Sequence, residues 1–349
     1  MSIHSVRLTI LLCCGAMMCL AIGVNLPPVF LTTFSETFGG AEGLSSEELG
    51  RIPAVIFAAM VSGIVITGPL ADRFGVRLFV LIGLGFVMLG LAALCLAANY
   101  TTLLLAGIFL GFGTANLEVV LSPIVAAVQP DRRSSAMNHL HLFYCVGAVG
   151  TVLIGAGALH AGISWRIVSG AIIVFPLLIF MGFTKIQIPT KTHSNESPSS
   201  YRPLFKQPLV MAASLAIFLS GATEVGLAQW LPTYAERGLG YSKAVSGGAL
   251  AAFSMAMGVG RYAVSRHVHR TGALPIMMGS CTVSAMLLLI GGFSPIEPIA
   301  LAACVCVGFS VACLWPSTLA VAADAAPNGG ASLFAVLAAA GNMGCIVMP

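Results

Sequence analysis

Long runs of apolar residues, separated by short polar or charged breaks, follow one another along almost the whole chain. A helix needs about 20 apolar residues to cross the hydrocarbon core of a bilayer. Eleven runs are candidates for such spans, and lipid leaves each of them no regular structure other than a helix. The pattern therefore predicts an all-α integral membrane protein. The predicted spans cover approximately residues 7–34, 50–71, 77–98, 101–128, 135–160, 165–184, 207–234, 244–265, 272–293, 297–322 and 330–349.

A long polar segment interrupts this pattern between the sixth and the seventh span. It is rich in Ser, Thr, Lys and Pro, which is typical of a linker between two parts of a membrane protein. The predicted organisation is an N-terminal six-helix half, a cytoplasmic linker and a C-terminal half, at residues 1–184, 185–206 and 207–349.

The two halves carry similar short motifs at nearly constant spacing. Residues 71–75 (Ala-Asp-Arg-Phe-Gly) correspond to residues 268–272 (Val-His-Arg-Thr-Gly), 197 positions later. A pair of glycines at 147–150 recurs at 341–344, 194 positions later. Parallel duplication of six-helix halves is found in one class of transporters. Eleven spans are then one short, and we expect the gene to continue past Pro349 into a twelfth helix.

Composition supports a lipid-facing surface and excludes several classes of function. Of the 349 residues, 58% are hydrophobic and 8% are charged, against about 25% charged residues in soluble domains. The net charge of +4 is small and forms no basic patch, so no nucleic-acid partner is expected. The ten cysteines lie mostly inside apolar runs without metal-ligand spacing. No metal, cofactor or enzymatic nucleophile–base set is predicted.

The distribution of Lys and Arg predicts the orientation in the membrane, because cytoplasmic loops carry an excess of both residues. With a cytoplasmic N-terminus, twelve basic residues fall inside and four outside. The inside set is Arg7, Arg73, Arg77, Arg132, Arg133, Lys185, Lys191, Arg202, Lys206, Arg261, Arg266 and Arg270. The outside set is Arg51, Arg166, Arg237 and Lys243.

The segment 68–77, Gly-Pro-Leu-Ala-Asp-Arg-Phe-Gly-Val-Arg, follows the second span. It resembles the signature that the major facilitator superfamily carries between helices two and three. Small Gly68 permits close helix contact, and Asp72 is expected to lie at the end of a neighbouring helix and to bond Arg groups there. Such a cluster must separate when the cytoplasmic face opens. The alternative is a generic tight basic turn. The gating residues predicted here are Gly68, Asp72, Arg73, Gly75 and Arg77.

Two carboxyl groups lie deep within predicted spans, Glu118 in span four and Glu224 in span seven. A charge at the centre of the bilayer costs about 2.5–3.5 kcal/mol on insertion scales, so each needs a partner, a cavity or a proton. The functional interpretation is proton coupling by Glu118 and solute binding by Glu224. The alternative is a structural carboxyl group that is hydrogen-bonded between helices.

Further polar side chains concentrate on spans one, five, seven and eleven, while spans three and nine are nearly featureless. Asn25 precedes Pro27 and Pro28, which are expected to interrupt the first helix. The Asn and His side chains could instead serve helix–helix packing rather than substrate binding. Trp230 and Tyr234 could instead belong to an aromatic belt at the membrane interface. The predicted substrate-binding residues are Asn25, Asn138, His141, Glu224, Gln229, Trp230, Tyr234 and Asn342.

Segments 117–123 and 137–143 resemble the fucose permease branch of the superfamily, which consists of sugar–proton symporters. That branch has Leu-Glu with Asn-Pro a turn later, then Leu-Asn-x-x-Gln-x-Phe in the next helix. Glu118 falls on the branch's helix-four acid, which is implicated in proton coupling. Asn138 falls on its Asn, and His141 replaces its Gln.

The resemblance implies a major facilitator fold, with two six-helix halves in pseudo-twofold arrangement and about eleven helices present here. It further implies sugar–proton symport by a monomer in the plasma (bacterial inner) membrane, with a small solute and protons as partners. Span seven, with Glu224 and the motif at 230–234, is similar to bacterial members of this branch. The branch carries an aspartate in helix one, where the nearest polar residue of this chain is Asn25.

Two other functions remain open on the same fold. A drug or metabolite exporter typically carries Gly-x-x-x-Gly-Pro-x-x-Gly-Gly in helix five, and the corresponding segment 147–155 has no proline. A membrane sensor that does not transport is the other alternative. Flux measurements separate these functions.

Overall fold

A computed structural model describes residues 3–186, 188, 204–327 and 329–347 of the chain. These ranges contain fourteen α-helices, a 3-10 turn at Pro130–Arg132 and a π-helical turn at Tyr234–Gly238, and they contain no strand. The N-terminal helices are α1 (Ile3–Val29), α2 (Leu31–Phe38), α3 (Ser46–Phe74), α4 (Val76–Cys95), α5 (Tyr100–Val128), α6 (Arg133–His160), α7 (Trp165–Ile172) and α8 (Val174–Lys185). The C-terminal helices are α9 (Pro208–Thr233), α10 (Lys243–Thr271), α11 (Ala273–Phe293), α12 (Glu297–Val311), α13 (Leu314–Ala325) and α14 (Gly330–Val347).

The prediction of an all-α membrane protein is confirmed. Within the described residues, nine helical segments are long and apolar enough to cross a bilayer. Helices α10 and α14 correspond to the two remaining predicted spans. Three spans are each divided between two helices, because the chain breaks at Phe30, at Ile173 and at residues 312–313.

The interruption expected at Asn25 lies further along the chain. Helix α1 continues through Asn25, Pro27 and Pro28 and ends at Val29. Proline lacks an N–H donor, but its fixed φ is compatible with a helix, so the chain turns only after the second proline. The break at Phe30 separates α1 from α2.

The internal repeat predicted from the sequence is present in the backbone. Gly75 and Gly272 both have positive φ, 91° and 80°, and each N–H donates to the carbonyl four residues earlier. A side chain would strain this conformation, which explains why both motifs end in glycine. Gly147 lies against α1, and its counterpart Gly341 lies against the Trp315 ring of α13, each so closely that an added methyl group would overlap its neighbour.

The two halves contact each other along several helix pairs, among them α5 with α14 and α6 with α13, and two further pairs form the most extensive contacts. Helix α3 packs against α14, and α6 packs against α10. The predicted linker 185–206 lies largely outside the described residues, so its boundaries stay a prediction. The pairing leaves space between the halves, and this space contains the candidate site.

Candidate functional site

Two adjoining cavities lie between the halves. The larger has a volume of about 580 Å³ and is lined by α1, α2, α3, α6, α9 and α10. The smaller, of about 80 Å³, is lined by residues that include Glu118, His141, Arg261 and Asn342. Residues that line both cavities are Val24, Phe57, Tyr144, Glu224 and Val225. Glu224 therefore lies at the boundary between a large chamber and a small polar one.

Glu118, on α5 of the N-terminal half, is bonded to Asn342, on α14 of the C-terminal half. The Asn342 Nδ2 lies 3.2 Å from both carboxyl oxygens of Glu118 and also donates to the Ala338 carbonyl, at 2.9 Å. Among the ion pairs of the described residues, none includes Glu118. The sequence resemblance indicated the acid, and the structure adds a neutral partner from the opposite half.

Glu224 has a different partner, the guanidinium of Arg261 on α10. Its two carboxyl oxygens accept from the Arg261 Nη2, at 2.9 and 3.1 Å. Arg261 is 2% exposed and Glu224 is 8% exposed. Arg261 was assigned to the cytoplasmic basic residues, and that assignment is wrong, because the side chain is buried in the bundle. Its position inside the apolar run 244–265 was the available signal, since an arginine within a span normally faces the interior.

Three uncharged acceptors also hold the Arg261 guanidinium. The Nε donates to the Ala312 carbonyl at 3.1 Å, and Nη1 donates to the His141 carbonyl at 2.9 Å and to the Cys145 Sγ at 3.2 Å. The Ala312 carbonyl is available because Pro316, four residues later, has no N–H. Arg261 thus joins α10 to the α12–α13 break and to α6 in the other half.

The predicted residues His141 and Asn25 both line a cavity. His141 lines the smaller cavity, and its buried Nε2 has no hydrogen-bond partner among the described residues. Asn25 lines the larger cavity and donates to the Ala21 carbonyl at 2.8 Å and to the Tyr144 hydroxyl at 3.4 Å. Tyr144 lines both cavities and was not identified from the sequence, because a tyrosine in an apolar helix carries no distinctive signal.

Other predicted binding residues lie away from these cavities. Asn138 is fully buried at the contact between α6 and α13, where its Nδ2 donates to the Ser317 hydroxyl at 3.1 Å. Trp230 is 54% exposed on the outer surface of α9. Tyr234 donates to the Gly291 carbonyl at 2.5 Å, towards α11. The side chain of Gln229 lies outside the described part of the structure. The aromatic group predicted on span seven is therefore not brought to the cavity.

Asp72 lies at the N-terminus of α14, in the opposite half. Its carboxylate accepts from the Ala331 N–H at 2.5 Å, from the Ser332 N–H at 3.0 Å and from the Ser332 hydroxyl at 2.7 Å. The partners are backbone and hydroxyl groups rather than the expected Arg groups. A carboxylate is favourable at this position because the N-terminus of a helix carries partial positive charge.

The remaining residues that were predicted to act in gating make their contacts within their own half. Arg77 donates to the Phe183 and Thr184 carbonyls at the end of α8, at 3.2 and 2.6 Å. Arg73 is exposed and lies over the Phe74 ring, at 5.2 Å from its centroid. Gly68 is buried, and Gly75 forms the turn between α3 and α4.

Further contacts join the halves at this end of the molecule, called here the Asp72 end. Arg133 and Asp324 form an ion pair at 2.9 Å, and the Ser135 hydroxyl donates to the Ser265 carbonyl. The larger cavity lies towards the opposite end, near Pro28 and Leu153. Nowhere in the described ranges do three or more His, Cys, Asp or Glu side chains meet in a way that would hold a metal ion.

A bundle of apolar helices in two related halves, closed at one end and with a polar cavity between the halves, defines a multi-pass membrane transporter. The family model for the Major Facilitator Superfamily matches residues 11–349, and the chain belongs to that superfamily.

Three relatives illustrate the range of that family. An uncharacterised MFS-type transporter of Yersinia pestis is 22% identical over 252 residues, which is 71% of this chain but only 64% of the relative. The protein named "Probable nitrate/nitrite transporter NarK2" of Mycobacterium tuberculosis is 24% identical, and the aligned region covers 89% of this chain and 80% of the length of that relative. The solved structure of FucP in the outward conformation has a TM-score of 0.84 at 16% identity, and covers 99% of this chain and 91% of FucP. A second structure describes FucP as the E. coli fucose:proton symporter, with a TM-score of 0.81.

Proposed function

We propose that the protein is a proton-coupled secondary transporter of a small polar solute, with sugars as the first class to test and Glu118 as the proton carrier. The observation that carries this proposal is the bond between Glu118 and Asn342. It places an ionisable group without a cationic partner at the cavity, on the contact between the two halves. The fold shared with a fucose:proton symporter supports the sugar class.

Alternating access gives Glu118 two environments. With the Asp72 end closed, Glu118 faces Asn342 across the contact of α5 and α14. Opening that end moves the halves apart, which breaks this bond and admits water. Hydration favours the charged form of a carboxyl group, so the proton is released on the newly opened side. We take the Asp72 end as cytoplasmic, in accordance with the Lys and Arg bias of the remaining loops.

The test is uptake by the purified protein in liposomes under an imposed proton gradient. Radiolabelled fucose, xylose and glucose are supplied outside, with nitrate as a comparison because of the relative named for nitrate and nitrite. Accumulation that collapses when an ionophore removes the gradient supports symport. A solute that only equilibrates, with or without the gradient, contradicts proton coupling.

A second candidate is export of a drug or metabolite, and the lining of the larger cavity favours it. Most of the lining side chains are apolar, among them Phe57, Ile56, Leu250 and Phe253. Export requires the opposite direction of coupling, so vesicles with an acidic interior would accumulate the compound only if the protein is an antiporter.

A further inference from the structure

The ion pair of Glu224 and Arg261 lies at the boundary between the two cavities, because Glu224 lines both of them and Arg261 lines the smaller one. Both charged groups are almost fully removed from water. Removal of two charges from water has a high cost, which an ion pair offsets only in good geometry. Hydrophobic residues of similar volume would serve a purely structural contact equally well. The pair is therefore a candidate for direct participation in binding.

The two partners are held in different ways. Arg261 is fixed by the carbonyls of Ala312 and His141 and by the Cys145 Sγ, none of which involves Glu224. The carboxyl group of Glu224 has Arg261 as its hydrogen-bond partner in the described residues. If Glu224 turned away, the guanidinium would stay in place with its Nη2 edge open towards the cavity.

The larger cavity matches a ligand with a mostly apolar body. Its polar lining side chains are Asn25, Tyr144, Cys145, Glu224 and Ser254, among twenty-one lining residues. A sugar would find few partners for its hydroxyl groups there, and an unpaired buried hydroxyl is costly. The Arg261 guanidinium lines the adjoining smaller cavity, and its Nη2 group can donate charge-assisted hydrogen bonds to a carboxylate of the ligand.

We propose that the solute is an organic carboxylate whose carboxylate group replaces that of Glu224 on Arg261. As the solute enters, the Glu224 carboxylate takes one proton from water and becomes neutral, while the solute anion takes its place on the guanidinium. The site is neutral before the exchange and neutral after it. The inference rests on the proposed proton-coupled transport and puts organic carboxylates in place of sugars as the substrate class.

Other ionisable groups that face this pair set the background for its pH dependence. Helices α1, α3 and α13 contribute uncharged side chains to the lining of the smaller cavity. The facing groups are Glu118 on α5, His141, Tyr144 and Cys145 on α6, and Cys345 on α14. Since Glu118 is ionisable and lines the same cavity, the test needs a variant that distinguishes proton uptake by Glu224 from proton uptake by Glu118.

The experiment compares matched acids and neutral compounds with the purified full-length chain in detergent micelles. The probes are benzoate against benzyl alcohol, and glucuronate against glucose. Binding is measured by calorimetric titration at an acidic and at a neutral pH, in buffers of different ionisation enthalpy, which report proton uptake. We expect benzoate to bind with uptake of one proton, and its Kd to rise by about tenfold per pH unit towards neutral pH. Benzyl alcohol should bind at least tenfold more weakly.

Variants separate the exchange from non-specific binding. Glu224→Gln removes the competing carboxylate, so benzoate should bind with at least a tenfold lower Kd at neutral pH and with no proton uptake at the same site. Arg261→Gln combined with Glu224→Gln removes both charges of the pair and should lose benzoate binding. Glu297→Gln, at the exposed start of α12, is the matched control and should behave like the unaltered protein.

Each outcome decides the proposal. Benzoate binding that persists in the double variant, or binding without proton uptake in the unaltered protein, overturns it. Preference for glucose or benzyl alcohol over the acids also overturns it, while leaving proton-coupled transport of a neutral solute intact. Absence of binding by both acids at either pH counts against an open anion site on Arg261. Loss of proton-driven uptake for every solute would instead contradict the proposed function itself.

Discussion

Glu118 and Glu224 are two carboxyl groups at one cavity, and the structure gives them opposite environments. Glu224 forms an ion pair with Arg261, whose Nη2 donates to both of its carboxyl oxygens, inside the contact network of α9, α10 and α6. Glu118 receives a hydrogen bond from the amide of Asn342. A guanidinium supplies Glu224 with a compensating charge, whereas an amide supplies Glu118 with a hydrogen bond and no charge. Under the two proposals, Glu118 exchanges its proton when Asn342 moves away with the other half, and Glu224 exchanges its proton when the solute replaces it on Arg261, although both residues looked alike in the sequence.

The ion pair also differs from the Glu118 contact in how much stability depends on it. Loss of one member of a buried ion pair leaves an unpaired charge in a low-dielectric interior, which strongly lowers the free energy of unfolding. Loss of the hydrogen bond between an amide and a carboxyl group leaves no unpaired cation, so it should lower the free energy of unfolding less.

Arg261→Gln should cause the largest loss of stability. It leaves the Glu224 carboxylate buried without its cation, and removal of one partner of a buried ion pair typically costs about 3–5 kcal/mol. Thermal unfolding in detergent micelles measures the effect. Arg266→Gln is the matched control, because Arg266 is exposed on the same helix.

The double variant Glu224→Gln with Arg261→Gln tests whether the loss of stability in Arg261→Gln comes from the unpaired Glu224 carboxylate. Without either charge, most of the stability should return. If Arg261→Gln alone is as stable as Arg266→Gln, the buried pair does not have the importance that its geometry indicates.

Glu118→Gln should change transport rather than stability. Gln has a similar size, and its carbonyl can accept the hydrogen bond from Asn342, so folding is retained. It cannot exchange a proton. Proton-driven accumulation in liposomes should fall by at least tenfold, while exchange of labelled for unlabelled solute across the membrane persists.

A purely structural role for Glu118 predicts a different result. If the residue only links α5 to α14, Glu118→Gln keeps proton-driven accumulation and Glu118→Ala mainly lowers the unfolding temperature. Retained accumulation in a well-folded Glu118→Gln protein would remove the coupling role. Glu297→Gln is again the control for the exchange of Glu for Gln at an exposed position.

Asp72→Asn should shift the conformational equilibrium by a moderate amount. The carboxylate accepts three hydrogen bonds at the N-terminus of α14, and a neutral amide weakens them and removes the favourable charge. A loss of about 1–2 kcal/mol changes the ratio of closed to open molecules by roughly five- to thirty-fold. Distances between spin labels at Arg132 and Arg270, which are exposed in opposite halves, report opening of the Asp72 end.

Solute affinity should change little in Asp72→Asn, because Asp72 lines neither cavity. Arg73→Gln serves as the control, since Arg73 is exposed and contacts Phe74 in its own helix. An unchanged distance distribution, or a large loss of affinity at normal turnover, would contradict a gating role for Asp72.

The architecture was predictable from the sequence because lipid imposes one structure on an apolar run. The eleven spans, the repeated turn at Gly75 and Gly272, and the placement of Asp72 at a helix end follow from length, glycine conformation and motif. These features depend on local sequence and on the bilayer. Glu118 and Glu224 were found because an acid in a membrane span is costly wherever it lies.

The partners of those acids were not predictable, because they depend on which helix faces lie together. Arg261 was counted with loop residues, although it lies inside an apolar run and is buried. Tyr144 gave no signal at all. Trp230 and Glu224 share a helix, but a difference of six residues places the two side chains far apart around its axis. Packing between helices, not spacing along one helix, decides which polar groups meet.

Trp230→Ala should have the smallest effect of the predicted binding residues. More than half of the side chain is exposed on the outer surface of α9, and it lines neither cavity, whereas Glu224 on the same helix lines both. An aromatic ring at this position contacts lipid, so its loss should leave the concentration for half-maximal uptake within about twofold of that of the unaltered protein. Glu224→Ala is the comparison from the cavity side of the same helix and should abolish uptake.

If Trp230→Ala instead weakened uptake by tenfold or more in a protein of normal stability, the ring would reach the solute in another state of the cycle. The contrast between the two sides of α9 would then hold only for the conformation that is closed at the Asp72 end.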